Sequence, residues 1–235
     1  MRDVTALRPA IGVVTGLGFE ASCLRRNVPS PEHFPVALSG GDSSRALAES
    51  TRLIAEGAAG LLSFGTAGAL SPALVAGDVI VATAVIGDSG GAIAAEQPWC
   101  DMLAAAASAH RLAPHLGSIR AVDRPATTPK EKSALYRATG ALAIDMESGA
   151  VARAARNAGL PFAVVRVIID PAMHEVPPAA LAAMAPGGRI DYAGLAGALW
   201  REPRQIAGLL TLARDAAAAR RSLGRAAALL GVLAG

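Results

Sequence analysis

Three acidic side chains each stand directly after an apolar run that reads as a buried strand. Glu20 follows residues 10–15 (AIGVVT), Glu147 starts a helical segment after 142–145, and Asp170 ends 162–169 (FAVVRVII). In open parallel sheets the ligand crevice lies at the carboxyl ends of the strands, so acids far apart along the chain can converge there. Converged carboxyls do general acid and general base work. The structural alternative is that Glu147 only favours the positive end of its own helix and that Asp170 caps a neighbouring element.

Other patterns compete for the chemistry. Gly16-x-Gly18-x-x-Ala21 after a strand is the dinucleotide-binding spacing. That site also requires an acid closing the second strand to hold a ribose hydroxyl. Here the second strand ends Leu38-Ser39-Gly40-Gly41 without one, so a nicotinamide oxidoreductase is only a rival. Gly40 and Gly41, with Ser43, Ser44 and Arg45 close by, form a candidate anion cradle, and Gly16 is a further candidate. His174, four residues after Asp170 in a Pro-rich loop, reads as a surface residue or a site residue. No His/Cys/acid cluster has metal-ligand spacing, so neither metal nor cofactor is expected.

The elements that must position these residues alternate. Strands are predicted at 10–15, 34–38, 60–64, 79–85, 118–122, 142–145 and 162–169. Helices are predicted at 43–56, with Asp42 or Ser43 as cap, and at 97–110, 129–139 and 147–157. Continuously apolar strands between helices mean a sheet covered on both faces. After Pro177-Pro178 the pattern reads as helical to the end. Residues 57–77 carry no charge over 21 positions, a bilayer-spanning length. Five glycines and a proline break that stretch, which reads as a strand, a Gly-rich turn and the entry to another strand.

Composition bounds the class. Of 235 residues, 52% are hydrophobic and 17% charged, which argues for burial and against disorder. Two cysteines give no disulfide framework and suit a reducing cytoplasm; no signal peptide is read. Net charge is +3, concentrated at 201–225, where six arginines face Glu202 and Asp215. The charge lacks the aromatic interleaving of a nucleic-acid surface. Leucines at near-helical spacing, with Trp200 among the arginines, make 190–235 a basic amphipathic helical extension beyond a 1–189 catalytic domain. It either lies in a membrane interface or packs on the domain or a second subunit.

Four segments, in order and spacing, resemble the methylthioadenosine/adenosylhomocysteine nucleosidases of the nucleoside phosphorylase/nucleosidase superfamily: GVVTGLGFEA (12–21), SFGTAGALSPALVAGDVIVAT (63–83), IDMESGAVARAA (144–155) and VVRVIIDPA (164–172). The whole chain looks most like the hopanoid-associated branch, whose members are thought to release adenine from adenosylhopane. The resemblance implies a three-layer αβα phosphorylase/hydrolase-like fold with a mixed central sheet, a homodimer, and cleavage of the N-glycosidic bond of an adenine nucleoside. It implies Asp170 as general acid near purine N7 and Glu20 as general base on water. Glu147 would accept from the ribose hydroxyls, Met146 would pack on the sugar, and Thr66, Ala67 and Gly68 would line the crevice. Such residues suit the reaction because a purine leaves poorly as an anion, and the sugar develops oxocarbenium character that a carboxylate stabilises.

The chain departs from the family pattern at named places. Ile169 stands where the family usually has a serine bonded to the acid, so another group must orient Asp170. Phe64 precedes the Gly65-Thr66 pair where phosphorylases of this fold tend to carry a phosphate-binding arginine. With Glu20 at the base position, water is favoured over phosphate. A methylthioadenosine nucleosidase and a nucleoside-binding protein that does not cut are the remaining alternatives. The partner is a small nucleoside and no nucleic acid; in the hopanoid reading the nucleoside is lipid-linked and the C-terminal helix would make the peripheral membrane contact.

Overall fold

The computed structural model describes residues 10–87, 91–110, 112–179, 184–185, 189–190, 200 and 202–234. Eight strands form one mixed sheet: β1 (Ile11–Thr15), β2 (Val36–Leu38), β3 (Gly60–Ala69), β4 (Val79–Ile86), β5 (Ala92–Ala94), β6 (His115–Ala121), β7 (Ala143–Asp145) and β8 (Phe162–Asp170). β1 pairs in parallel with β2 and β3, and β3 in parallel with β8. β8 then pairs antiparallel with β4, β4 parallel with β6, β6 parallel with β7, and β7 antiparallel with the end of β3. Those five strands, β3-β8-β4-β6-β7, therefore close on themselves into a ring, with β5 as an antiparallel edge on β4.

Helices cover both faces. α2 (Ser43–Ala55) and α5 (Ser148–Ala158) pack on each other and on β1 and β3, while α1 (Gly18–Asn27), α3 (Gln97–Ala109) and α6 (Ile206–Leu229) form the opposite layer. α4 (Pro129–Thr139) starts with the reciprocal Thr128–Glu131 cap and stops at Gly140, whose φ of 65° is the left-handed conformation glycine accepts without strain. This is the three-layer architecture expected. β8 is buried from Phe162 to Ile168 because each sheet face meets a helix, and only Ile169 and Asp170 at its end are half-buried; Leu223, Ala226 and Leu229 of α6 belong to the same core. No described helix is long and apolar enough to cross a membrane.

Two sequence expectations are corrected. The Gly-rich stretch after Phe64 is not a turn: β3 runs on to Ala69. Its glycines are there for close approach. A Cβ at Gly65 would stand 2.5 Å from Arg166 Nη1 and 2.7 Å from Glu20 Oε2, and one at Gly68 would stand 3.2 Å from Ile144 Cγ2. The region after Pro177-Pro178 is not wholly helical: Met184–Ala185 pairs antiparallel with Arg189–Ile190. The other residues of 180–199 lie outside the described residues.

Candidate active site

The first turn of α1 follows β1, and Glu20 sits in it, 2% exposed. Its carboxylate reaches back and across at once. Oε2 accepts from the backbone N–H of Gly16 (3.0 Å) and Leu17 (2.9 Å), and Oε1 from Thr66 N (2.7 Å) and Thr66 Oγ1 (2.6 Å). The first pair satisfies orphan donors at the start of α1. The second pair ties the carboxylate to β3, 46 positions away, which helix capping alone does not require.

Arg166 lies opposite Gly65 in the β3–β8 register and is fully buried. Nε donates to Asp145 Oδ2 at 2.5 Å, and Nη2 donates to Ser63 Oγ at 2.6 Å and to Glu147 Oε2 at 3.3 Å. Nη1 has no partner, and among the described residues it is the one buried side-chain nitrogen or oxygen so placed. The missing Cβ of Gly65 leaves Nη1 and the Glu20 carboxylate facing one spot.

Glu147 reaches that spot by a route the strand-end rule did not foresee. β7 is antiparallel to β3, with Ala143 opposite Ala69 and Ile144 opposite Gly68, so the chain travels back along β3 toward Gly65. Glu147 is 6% exposed and makes no capping bond to its helix. Asp145 does that instead, accepting from the Ser148 backbone N–H at 3.3 Å and from its hydroxyl. The Glu147 carboxyl turns inward: a Cβ on Gly16 would stand 2.5 Å from its Oε1. Burial pushes its pKa up to about 7, with the Arg166 guanidinium pulling the other way and the charges of Asp145 and Glu20 adding to the rise. Met146 is half-buried between β7 and α5.

Asp170 ends β8 opposite Gly68, with Ala67 beside it in β3. Gly65 and Gly68 lie three positions apart in β3, roughly 10 Å of extended chain. Burial raises the Asp170 pKa, while the hydrogen bond and charge of Lys132 lower it. Its orienting partner is Lys132, which sequence reasoning missed: Nζ lies 2.7 Å from Asp170 Oδ2. A lysine in the first turns of a helix 38 positions earlier carries no local signal of such a role. Arg166 was visible as the single charge in FAVVRVII, yet its partners were not.

The other candidates fall elsewhere. Gly40 and Gly41 form a left-handed turn (φ 72° and 77°) after β2, and Asp42 then caps α2 by accepting from Arg45 N at 2.7 Å; the Arg45 side chain is exposed. His174 pairs its Nδ1 with Asp215 Oδ2 of α6 at 2.8 Å. Trp99 packs under Gly60, at the far end of β3 from the carboxylates, and Phe64 is fully buried. Two open grooves of about 410 and 380 Å³ lie on other parts of the surface. Among the described residues no cluster of metal-ligating side chains occurs.

The arrangement of buried carboxylates, guanidinium and strand glycines sits in a fold that is known. The chain belongs to the phosphorylase superfamily, whose model matches residues 36–185. Its fold is that of the Helicobacter pylori 5′-methylthioadenosine/S-adenosylhomocysteine nucleosidase solved with butyl-thio-DADMe-Immucillin-A, at TM-score 0.69 and 19% identity over 94% of this chain and 98% of that one. The Streptococcus pyogenes S-adenosylhomocysteine nucleosidase with 5-methylthiotubericidin is similar at TM-score 0.65 and 21% identity, over 72% and 86%. Futalosine hydrolase of Helicobacter pylori follows at TM-score 0.63 and 20% identity, over 69% and 88%. A comparison with curated protein sequences gives no match. Together these place the chain in the phosphorylase superfamily, with the fold these nucleosidases share.

The raised pKa of Glu147 has a measurable sign. The folded value lies above the ordinary 4.5, so its contribution to stability is present below about 4.5 and is lost as pH rises through about 7. Glu147→Gln removes the ionisable group, so it should raise the melting temperature relative to wild type by ~2–4 °C per kcal/mol relieved at pH 8. The gain should shrink at pH 5, and thermal scans at the two pH values measure the difference.

Proposed function

We propose that this chain hydrolyses the N-glycosidic bond of an adenine nucleoside. The observation that carries this reading is the Glu20 carboxylate and the unpartnered Arg166 Nη1 facing one spot over Gly65, with Asp170 a nucleoside's length further along β3. The ribose lies over Gly65 and Thr66 with its hydroxyls on Glu147 and Met146 against the ring. The purine extends past Ala67 and Gly68 to Asp170. Asp170 gives its proton to N7 as the C1′–N9 bond breaks, and the bonding electrons leave with the base. A water held between Glu20 and Arg166 Nη1 adds to C1′ and passes its proton to Glu20. The buried carboxylates stabilise the cationic sugar between these events. All four acceptor positions of Glu20 are taken, and of the four donors only the Thr66 hydroxyl can turn away to admit the water.

Water is preferred to phosphate on electrostatic grounds. The amide of Gly16 already serves Glu20 and that of Arg45 serves Asp42, so these anion donors are occupied by carboxylates that repel a phosphate.

The 5′ substituent in this reading is the hopanoid of adenosylhopane. Met173, just after Asp170, is 71% exposed, and Ile206 and Leu210 on α6 are exposed too. Gly208 of α6 packs on Pro177 of the same loop region, and Arg204, in the turn before α6, and Arg214 on α6 are exposed. Apolar side chains flanked by arginines suit an anionic lipid surface, from which a homodimeric cytoplasmic enzyme takes a lipid-linked nucleoside. The likeness to the Streptococcus pyogenes and Helicobacter pylori nucleosidases favours a second reading, in which the substituent is a short thioether.

A coupled assay for adenine on several 5′-substituted adenosines, with and without phosphate, tests the reaction. We expect release that needs no phosphate, with Asp170→Asn at least ~10-fold slower. Strict phosphate dependence would make it a phosphorylase, and no release from any substrate would leave a binding protein. For the lipid surface, the protein should float with anionic liposomes and lose flotation in Ile206→Glu/Leu210→Glu; equal behaviour of the two removes the membrane contact.

A further inference from the structure

Ile169 offers no hydrogen-bonding side chain to the acid that follows it, yet Asp170 is firmly held. The group that holds it is Lys132 in α4, whose side chain has no solvent exposure. Its ammonium donates to three acceptors: Asp170 Oδ2 at 2.7 Å, Pro171 O at 3.0 Å and His174 O at 2.8 Å. Every donor is satisfied, so the ammonium has one orientation. It fastens one carboxylate oxygen and the backbone of the loop that follows, and among the described residues Asp170 Oδ1 carries no hydrogen bond.

We propose that Lys132 is the positioning residue for protonation of the leaving base: it pins Asp170 Oδ2, leaves Oδ1 free to carry the proton, and stabilises the carboxylate that forms as the proton departs. The proposal rests on the nucleosidase reading above. The proton moves from Asp170 Oδ1 to purine N7 while C1′–N9 breaks, and Lys132 keeps all its own protons. Before transfer the ammonium meets a neutral carboxyl, and after transfer it meets a carboxylate. Its attraction therefore grows along the reaction, which is the condition for an interaction to speed the chemical step.

The environment of Asp170 makes the effect of removing Lys132 definite. The charged groups around it are Lys132 from α4, His174 from the following loop and Asp215 from α6. Burial raises the Asp170 pKa, Lys132 is the main influence lowering it, and His174 and Asp215 act in opposite directions. Without the ammonium, the carboxyl is a weaker acid that stays protonated to higher pH.

The test compares Lys132→Met and Lys132→Gln with wild type on two substrates. The first is adenosine or its 5′-methylthio analogue, which needs a proton on the base. The second is 4-nitrophenyl β-D-ribofuranoside, whose leaving group needs none. We expect kcat on the adenine nucleoside to fall at least ~10-fold with KM little changed, kcat on the nitrophenyl riboside to stay within about twofold, and the alkaline limb of the kcat profile to move to higher pH. In an Asp170→Asn background, Lys132→Met should add no further loss. Equal losses on both substrates, or additive losses in the double variant, would make Lys132 merely structural and overturn the proposal, as would unchanged kcat on both. If wild type releases adenine from none of these nor from any other 5′-substituted adenosine, the nucleosidase reading itself fails and takes this proposal with it. Wild-type cleavage with unaffected Lys132 variants sinks the proposal alone.

Discussion

A guanidinium with no access to solvent sets the terms for everything around it. Arg166 cannot discharge its cation, and leaving it unpaired in the core would cost several kcal/mol. Asp145, Glu147 and Ser63 therefore have to be where they are. The pairing also overshoots: Glu20 adds a third carboxylate to the neighbourhood of a single cation. The excess negative charge appears in Glu147, which burial and its neighbours push up to about 7. A corner with more carboxyls than cations and one unused donor at Nη1 is poorly suited to an anion and well suited to a sugar that becomes a cation.

Fold topology is what makes such a corner affordable in a chain of this size. The ring β3-β8-β4-β6-β7 lets β7 run antiparallel to β3 and return Glu147 to Gly65, while β1 and α1 bring Glu20 from the other side. In a plain parallel sheet the acid after β7 would stand at a separate strand end. The extension of β3 through Gly65 and Gly68, with a register shift against β8 between Ala67 and Gly68, then sets Glu20 and Glu147 at one end and Asp170 at the other.

The alternation of apolar strands and helices was plain in the sequence because strand burial on both faces leaves continuous runs such as FAVVRVII. Glu20, Glu147 and Asp170 were legible from their positions after those runs and from the motif resemblance. What was not legible has physical causes. Gly65-Thr66-Ala67-Gly68 reads as a turn because glycine signals conformational freedom locally, whereas here it marks lack of room for a Cβ, a tertiary fact. Lys132 is one of three charged residues in PKEK, and nothing local separates the buried one from the two solvated ones. Asp145, rather than Glu147, caps α5, a choice between two acids that depends on where Arg166 sits. The short pairing of Met184–Ala185 with Arg189–Ile190 lies in a stretch whose alanines suggest helix.

The claim beneath the account is that this carboxylate-rich corner is built for a positively charged ribose. Titration calorimetry with a pair of adenine-like ligands, one carrying a cationic pyrrolidine in place of the ribose and one carrying neutral ribose, reads it directly. The account predicts that the cationic ligand binds at least ~10²-fold more tightly at neutral pH. Equal affinity for the two, or preference for the neutral one, would contradict it.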